Sequence, residues 1–342
     1  MKKQIVPWVA LSATFAFTVS ALAQAPAGGQ VMNGVSAGAG RGSIGAGIAT
    51  SNPGPQNGPA ESMYFDISEA LAKPIMDHLP AKAAVKPEKP RRLLVYVQAN
   101  QFVTPGMPYV NRALRAMGEK TGAFTVDLSA NLDDFLPETL NQYDAFLLNS
   151  TVDMPVSPER TPEICNSIMA FVRSGKGAIG MHGAVDNFRQ WPEAQEMFGN
   201  LFRGHPWGEG GAWAIKIDEP TNPLMEPFKG HEGFRIVTEL YASTPPIYSR
   251  DKQLVLMSLD MKDAATRNLA RTDADMDTGI SWIKNWGSGR VFYTNLGHGG
   301  MRAGLELENS PVQEFLLRGI QWAMGDLKGV DATPKGTSKA TN

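Results

Sequence analysis

The chain has 342 residues, 42% of them hydrophobic and 19% charged, and its 32 basic and 34 acidic residues leave a formal charge of −2. There is ample apolar material for a large core, and the near-balance of charge without any basic block excludes nucleic acid as a partner. The single cysteine, Cys165, excludes an intramolecular disulfide and a cysteine-rich zinc site.

Lys2 and Lys3 precede an apolar run at 5–21 that closes in Ala21-Leu-Ala23. These are the three parts of a secretory signal peptide, so residues 1–23 are expected to be cleaved after Ala23 and the protein exported, to the periplasm. Ser12, Thr14, Thr18 and Ser20 dilute the run too far for a lasting anchor, and no other segment is apolar enough to span a bilayer. No stable membrane insertion is therefore expected after cleavage. Residues 24–60 are rich in Gly, Ala, Ser, Asn and Pro, cannot bury enough surface to offset their ordering entropy, and are expected as a disordered spacer. Gly40-Arg-Gly42-Ser-Ile-Gly45 has the spacing of a dinucleotide fingerprint, but no strand precedes it, so no nucleotide is expected. Residues 61–90 are expected to hold a short amphipathic helix up to Leu79, a solvated His78 and a Pro/Lys/Ala linker.

From 91 to 326 the pattern is that of one α/β domain. Arg92-Leu-Leu-Val-Tyr-Val97 reads as a buried strand, followed by a Gly/Pro loop and a helical pattern through Val110, Leu114 and Met117. Strands at 124–128 and 145–148 are separated by residues 133–140. A helix with Ile164, Ile168, Phe171 and Val172 on one face then carries Cys165 as a small buried residue. Ala178-Ile-Gly-Met181 is short, small and apolar, as a parallel strand covered on both faces should be. It ends at His182, edged by Gly180 and Gly183, on the rim where open α/β sheets bind ligands. A helix at 191–202, strands at 213–217, 234–237, 254–259, 280–284 and 290–294, and a last helix at 312–324 complete the domain. The early strand–helix alternation predicts a flavodoxin-like, mostly parallel sheet with helices on both faces, and the later strands predict a mixed extension. The tail at 327–342 is expected to be disordered.

Five stretches carry a family likeness: Gly177-Ala-Ile-Gly-Met-His-Gly-Ala-Val-Asp186; Trp191 with Phe202-Arg-Gly-His-Pro206; Thr238-Glu-Leu-Tyr241; Trp282 with Gly289-Arg-Val-Phe-Tyr-Thr-Asn-Leu-Gly-His298; and Leu317-Arg-Gly-Ile-Gln-Trp-Ala-Met-Gly325. Together they resemble the ThuA-like, or trehalose utilisation, proteins, relatives of the class I glutamine amidotransferases. The resemblance spans 92–325 and implies an amidotransferase-like fold and a link to sugar metabolism. It departs at Ala99-Asn-Gln-Phe102, where many members carry a histidine. In the amidotransferases the elbow after the strand presents a nucleophilic cysteine. Here that position is His182 and Cys165 lies in the preceding helix, so thioester chemistry is not expected.

Imidazole transfers protons near neutral pH or ligates a metal. His182 and His298 each follow a strand beside glycine and are the candidate catalytic pair. His205, in a Gly-His-Pro turn, and Glu239, a carboxylate at an apolar strand end, are candidate substrate contacts, as are Tyr241, Trp191 and Asp186. Asp186 could equally cap the next helix. No close metal-ligand spacing is present, so a metal site would be assembled from separate loops by His182, His205, His298 and Glu239, a donor set that suits a divalent ion such as zinc. The function these residues support is an exported enzyme acting on a small-molecule carbohydrate, an oxidised (keto) sugar or glycoside, by His-based acid–base or metal-assisted chemistry. A non-catalytic carbohydrate-binding or scaffold module and a zinc-dependent hydrolase are the alternatives.

Overall fold

Nine strands form one sheet: β1 (Arg92–Tyr96), β2 (Thr125–Ser129), β3 (Ala145–Asn149), β4 (Gly177–Met181), β5 (Ala212–Ile217), β6 (Gly233–Val237), β7 (Leu254–Leu259), β8 (Gly279–Trp286) and β9 (Gly289–Thr294). The computed structural model describes residues 66–100, 102–298 and 304–336, all within one compact unit. The signal peptide and the spacer expected from the sequence lie outside the described residues. The strand order is β2-β1-β3-β4-β9-β8-β7-β5-β6. The first five run parallel, and every pair from β9 to β6 is antiparallel. Among the described residues no helix is long and apolar enough to cross a membrane.

The pleat sorts each strand's side chains onto two faces. Leu93, Val95, Ile179 and Phe292 pack with Met107, Val110 and Leu114 of α2 (Met107–Thr121) and with Val312, Phe315 and Ile320 of a long C-terminal helix (Ser310–Ala323). Their neighbours Leu94, Tyr96, Phe146, Val291 and Tyr293 pack the other way, against Ile164, Ile168 and Phe171 of α4 (Pro162–Arg173) and Phe198 of α5 (Pro192–Phe198). Cover on both faces explains why β3 and β4 are buried along their whole length. Each such fully buried aliphatic or aromatic side chain contributes about 1.5–3 kcal/mol. Three short helices complete the set: α1 (Glu69–Met76), α3 (Pro137–Leu140) and α6 (Ala264–Arg267), which makes the C-terminal helix α7.

In the antiparallel half only β8 and β9 are joined by a tight hairpin, and the other strands are linked by long loops. Trp286 pairs with Gly289, so only Gly287 and Ser288 join β8 to β9, with Gly287 at φ +60°. The chain thus leaves the parallel core after β4, builds β5 to β8, and returns as β9 beside β4.

Four expectations are corrected. The helix expected at 191–202 stops at Phe198, because Gly199 adopts φ +78° and its N–H closes the helix on Gln195 O. His78 is half-buried, its Nδ1 3.1 Å from Ser310 Oγ. The supposed linker before β1 is tied to α7 and its end: Ala84 N–H donates to Gln321 Oε1, Gln321 Nε2 to Val85 O, and Glu88 N–H to Asp326 Oδ1. The first part of the supposed tail is also held, with Ala332 buried, Lys335 paired with Glu219, and Gly336 N–H bonded to Arg250 O. Residues 337–342 lie outside the described residues.

Candidate active site

β4 and β9 are parallel neighbours whose last paired residues are Met181 and Thr294, so the next residues, His182 and Asn295, leave the sheet side by side. His182 has φ +41°, in the left-handed region that costs a non-glycine residue about 1–3 kcal/mol. Two features hold that turn. The Tyr293 hydroxyl donates to His182 O at 2.8 Å, and Gly183 lacks the Cβ that would stand 3.0 Å from the backbone of Ser150. The ring is fixed in turn by its Nδ1, 3.2 Å from Asn295 O. A carbonyl only accepts, so Nδ1 carries the proton and Nε2 keeps its lone pair. That Nε2 is buried without a hydrogen-bond partner.

His298 reaches the same place from the loop after β9, its ring centroid 5.0 Å from that of His182. Gly297, at φ +130°, donates its N–H to Glu306 Oε2 at 2.9 Å. Glu239 arrives from a third direction. Just beyond β6, an antiparallel bridge joins Leu240 to Trp207, with Leu240 N–H on Trp207 O at 2.8 Å. The bridge lays the Glu239 segment along the Gly-His-Pro turn, so Glu239 Oε2 is 3.1 Å from His205 Nδ1. The other oxygen, Oε1, is 3.7 Å from His182 Nε2. His182, Glu239 and His298 each offer one ligand atom, and all three atoms lie within 4.8 Å of one another.

Depth grades the cluster: His182 is 0% exposed, His298 4%, the Glu239 side chain 15% and the His205 side chain 50%. Burial, and then the nearby His298, holds the His182 imidazolium far below its ordinary range. Burial and His205 lower His298 to about 4. Burial, with Glu209 nearby, pushes the Glu239 carboxyl up to about 7. All three shifts have burial as their main cause, and all disfavour the charged form. Near neutral pH the two buried imidazoles are neutral bases facing a carboxyl group.

The other candidates separate. Tyr241 joins the cluster, with its ring centroid 4.3 Å from that of His182, and Phe202 lies 4.4 Å from Tyr241 and stacks near His205. Trp191 does not offer a sugar platform: it is 2% exposed and packed edge-on against Phe188. Asp186 forms an ion pair with Arg189, and the N-cap position before α5 is held by Trp191, so Asp186 is not its cap. Trp207 is fully buried, with its Nε1 on Thr266 O. Cys165 is buried in α4, and burial raises its thiol pKa. Phe202, Tyr293 and Asn295 were missed as positioning groups although each lies inside a motif already singled out. The usable signal was adjacency: Asn295 follows the last residue of β9 just as His182 follows β4.

Two solved structures share the fold. A ThuA-like protein from Bacteroides uniformis ATCC 8492 aligns with TM-score 0.56 at 19% identity, covering 72% of this chain and 96% of that one. Another from Parabacteroides merdae ATCC 43184 aligns with TM-score 0.50 at 19% identity, covering 69% and 91%. At such identity the likeness extends to the fold alone. None of the curated proteins matches the chain. The ThuA family profile, described as trehalose utilisation, matches residues 92–323, the whole stretch from the start of β1 to the end of α7. On that match the chain belongs to the ThuA, trehalose utilisation, family.

Proposed function

We propose that this protein is an exported enzyme that acts on a carbohydrate, an oxidised (keto) sugar or glycoside, by acid–base chemistry at the cluster of His182, Glu239, His298 and His205. The observation that carries the reading is the convergence of three separate loops, which brings three donor atoms within 4.8 Å at the carboxyl ends of β4 and β9. The family's description supports the carbohydrate. The lysine pair and apolar run at the N-terminus support export and a periplasmic location, and the parallel order β2-β1-β3-β4-β9 supports a flavodoxin-like core.

A carbonyl in the sugar ring acidifies the neighbouring C–H. In this reading His205 takes that proton; in support, Glu239 Oε2 lies 3.1 Å from its Nδ1 and its half-exposed ring lies at the mouth of the cluster. The C–H electron pair moves onto the carbonyl oxygen, which needs a donor: the protonated Glu239 carboxyl or the Tyr241 hydroxyl beside His182 serves. The enolate then either recovers a proton or expels a group from the next carbon. No thiol stands at the elbow, so amidotransferase chemistry has no nucleophile here.

The complete burial of His182 favours one rival, a non-catalytic carbohydrate-binding module in which that imidazole is structural. Solvent exchange separates the two. A panel of glycosides and keto-glycosides in D2O, followed by NMR, should show deuterium entering next to the carbonyl with the wild type. His205→Ala and Glu239→Gln should each slow that exchange by about 10²–10⁴-fold. Saturable binding without exchange or turnover for any member of the panel would leave the module as the better reading.

A further inference from the structure

The unpaired buried atoms of the cluster ask for something positive. His182 Nε2 and His298 Nδ1 are both buried with no hydrogen-bond partner. Leaving a buried polar atom unpaired costs about 1–3 kcal/mol, and here the two rings that carry such atoms lie 5.0 Å apart, with the Glu239 carboxyl 3.7 Å from one of them. The His182 tautomer makes the case sharper. Its Nδ1–H is committed to Asn295 O, so its Nε2 has only a lone pair to present to Glu239 Oε1, 3.7 Å away. Electron pairs directed at one another repel unless a proton or a metal cation lies between them, and 3.7 Å is too long for a shared proton.

We infer that His182, His298 and Glu239 are the ligands of a single divalent transition-metal ion of the zinc class. The inference deepens the reading given under the proposed function and takes its carbohydrate class from it, but the ion can be tested without any substrate. The geometry fits. In a tetrahedral site with bonds of about 2.1 Å two ligands lie about 3.4 Å apart. The His182–Glu239 separation of 3.7 Å is close to that, and the 4.8 Å spread of the set closes with side-chain shifts of about 1 Å. Two imidazole nitrogens and one carboxylate oxygen suit zinc and its neighbours and do not suit magnesium or calcium, which require mostly oxygen.

The surroundings are those of a built metal site. A ligating imidazole usually gives its other N–H to a carbonyl or carboxylate, as His182 does to Asn295. The ligating carboxylate is oriented as well, by His205 on its outer oxygen. The Tyr241 ring flanks His182 and keeps the cluster apolar on that side. Three protein ligands leave further coordination positions, as in catalytic rather than structural zinc sites. An ion there supplies the positive charge that the enolate oxygen of the proposed reaction requires.

The test uses the full chain after stripping with a chelator and dialysis. Zinc alone is titrated by calorimetry, and the thermal midpoint is followed in parallel. We expect one equivalent per chain, a raised midpoint, and affinity lowered by more than about a hundredfold in Glu239→Gln and in His298→Gln, beyond the range seen on losing an orienting partner. His231→Ala, on the β6 side of the molecule, serves as the control for surface zinc and should bind as the wild type does. Circular dichroism identifies a variant that has not folded, and Glu239→Gln, which keeps the shape of the side chain, then decides. Absence of saturable zinc binding overturns the inference, and so does binding that Glu239→Gln leaves unchanged. Zinc held without any carbohydrate exchanged supports the ion and counts against the proposed reaction. Exchange that persists in a metal-free protein does the reverse.

Discussion

Whether His298 reaches His182 depends on a glycine in another element. A Cβ on Gly106, at the start of α2, would stand 2.2 Å from Gly297 O and 2.6 Å from His298 O. Backbone cannot yield as a flexible side chain can, so Gly106→Ala must push the His298 loop away. Overpacking of this kind costs about 1–3 kcal/mol and occasionally more. We predict a stability loss of at least about 2 kcal/mol in denaturant unfolding, with weaker zinc binding in the fraction that remains folded. An unchanged unfolding midpoint would show that the α2 start and the His298 loop are not in contact. At this scale the sequence was informative about identity and silent about company. His182, His298, His205 and Glu239 were all legible as candidates because each sits in a glycine-edged or strand-end motif. The pairing of Glu239 with His205 was not, since it depends on the isolated bridge between Trp207 and Leu240, which has no periodic signature.

The strands were the most readable elements, because each is a short apolar run bounded by turn residues. Their partners were less so: a buried run reads alike in parallel and antiparallel sheets, and only the turn length between β8 and β9 gives the direction away. Helix α5 was expected four residues too long because the apolar pattern continues past Gly199, where backbone conformation overrides it. β8 also carries a charge that no strand pattern predicts. Lys284 is buried, donates from Nζ to Glu196 O at 2.7 Å, and has its pKa lowered to about 8 by burial. Below pH 8 the folded protein carries the full cost of a buried ammonium. Between about 8 and the ordinary lysine value the folded side chain is neutral while the unfolded one is still charged, so stability rises with pH. Above that value the cost is gone. We therefore predict that the stability of wild type relative to Lys284→Met improves by about 3 kcal/mol as pH rises from 7.5 to 10.5. A difference that stays flat across this window would mean that the lysine is solvated.

On the scale of the whole molecule, the long excursion through β5 to β8 is what makes a site. It removes the chain from the parallel core after His182 and returns it as β9 directly beside β4, so that two histidines separated by more than a hundred residues share one rim. On the way it deposits Glu239 above them. The alternation of strands and helices made the parallel core readable, and the family motifs marked the two histidines of that rim, but the order of the sheet was not contained in any local pattern. The same holds at the opposite end. Arg91, just before β1, is buried between Asp326 and Asp144, 235 and 53 residues away, and closes the start of the domain onto its end. Groups that act as one centre lose their effect together, so the account is tested most directly by a mutant cycle on a keto-glycoside that the wild type turns over. The values to compare are kcat/KM for Glu239→Gln, His298→Gln and the double variant. If the cluster is one catalytic centre, each single change lowers kcat/KM by about a thousandfold or more, and the double variant is no worse than the singles. Singles that stay near wild type, or losses that multiply in the double variant, would contradict it.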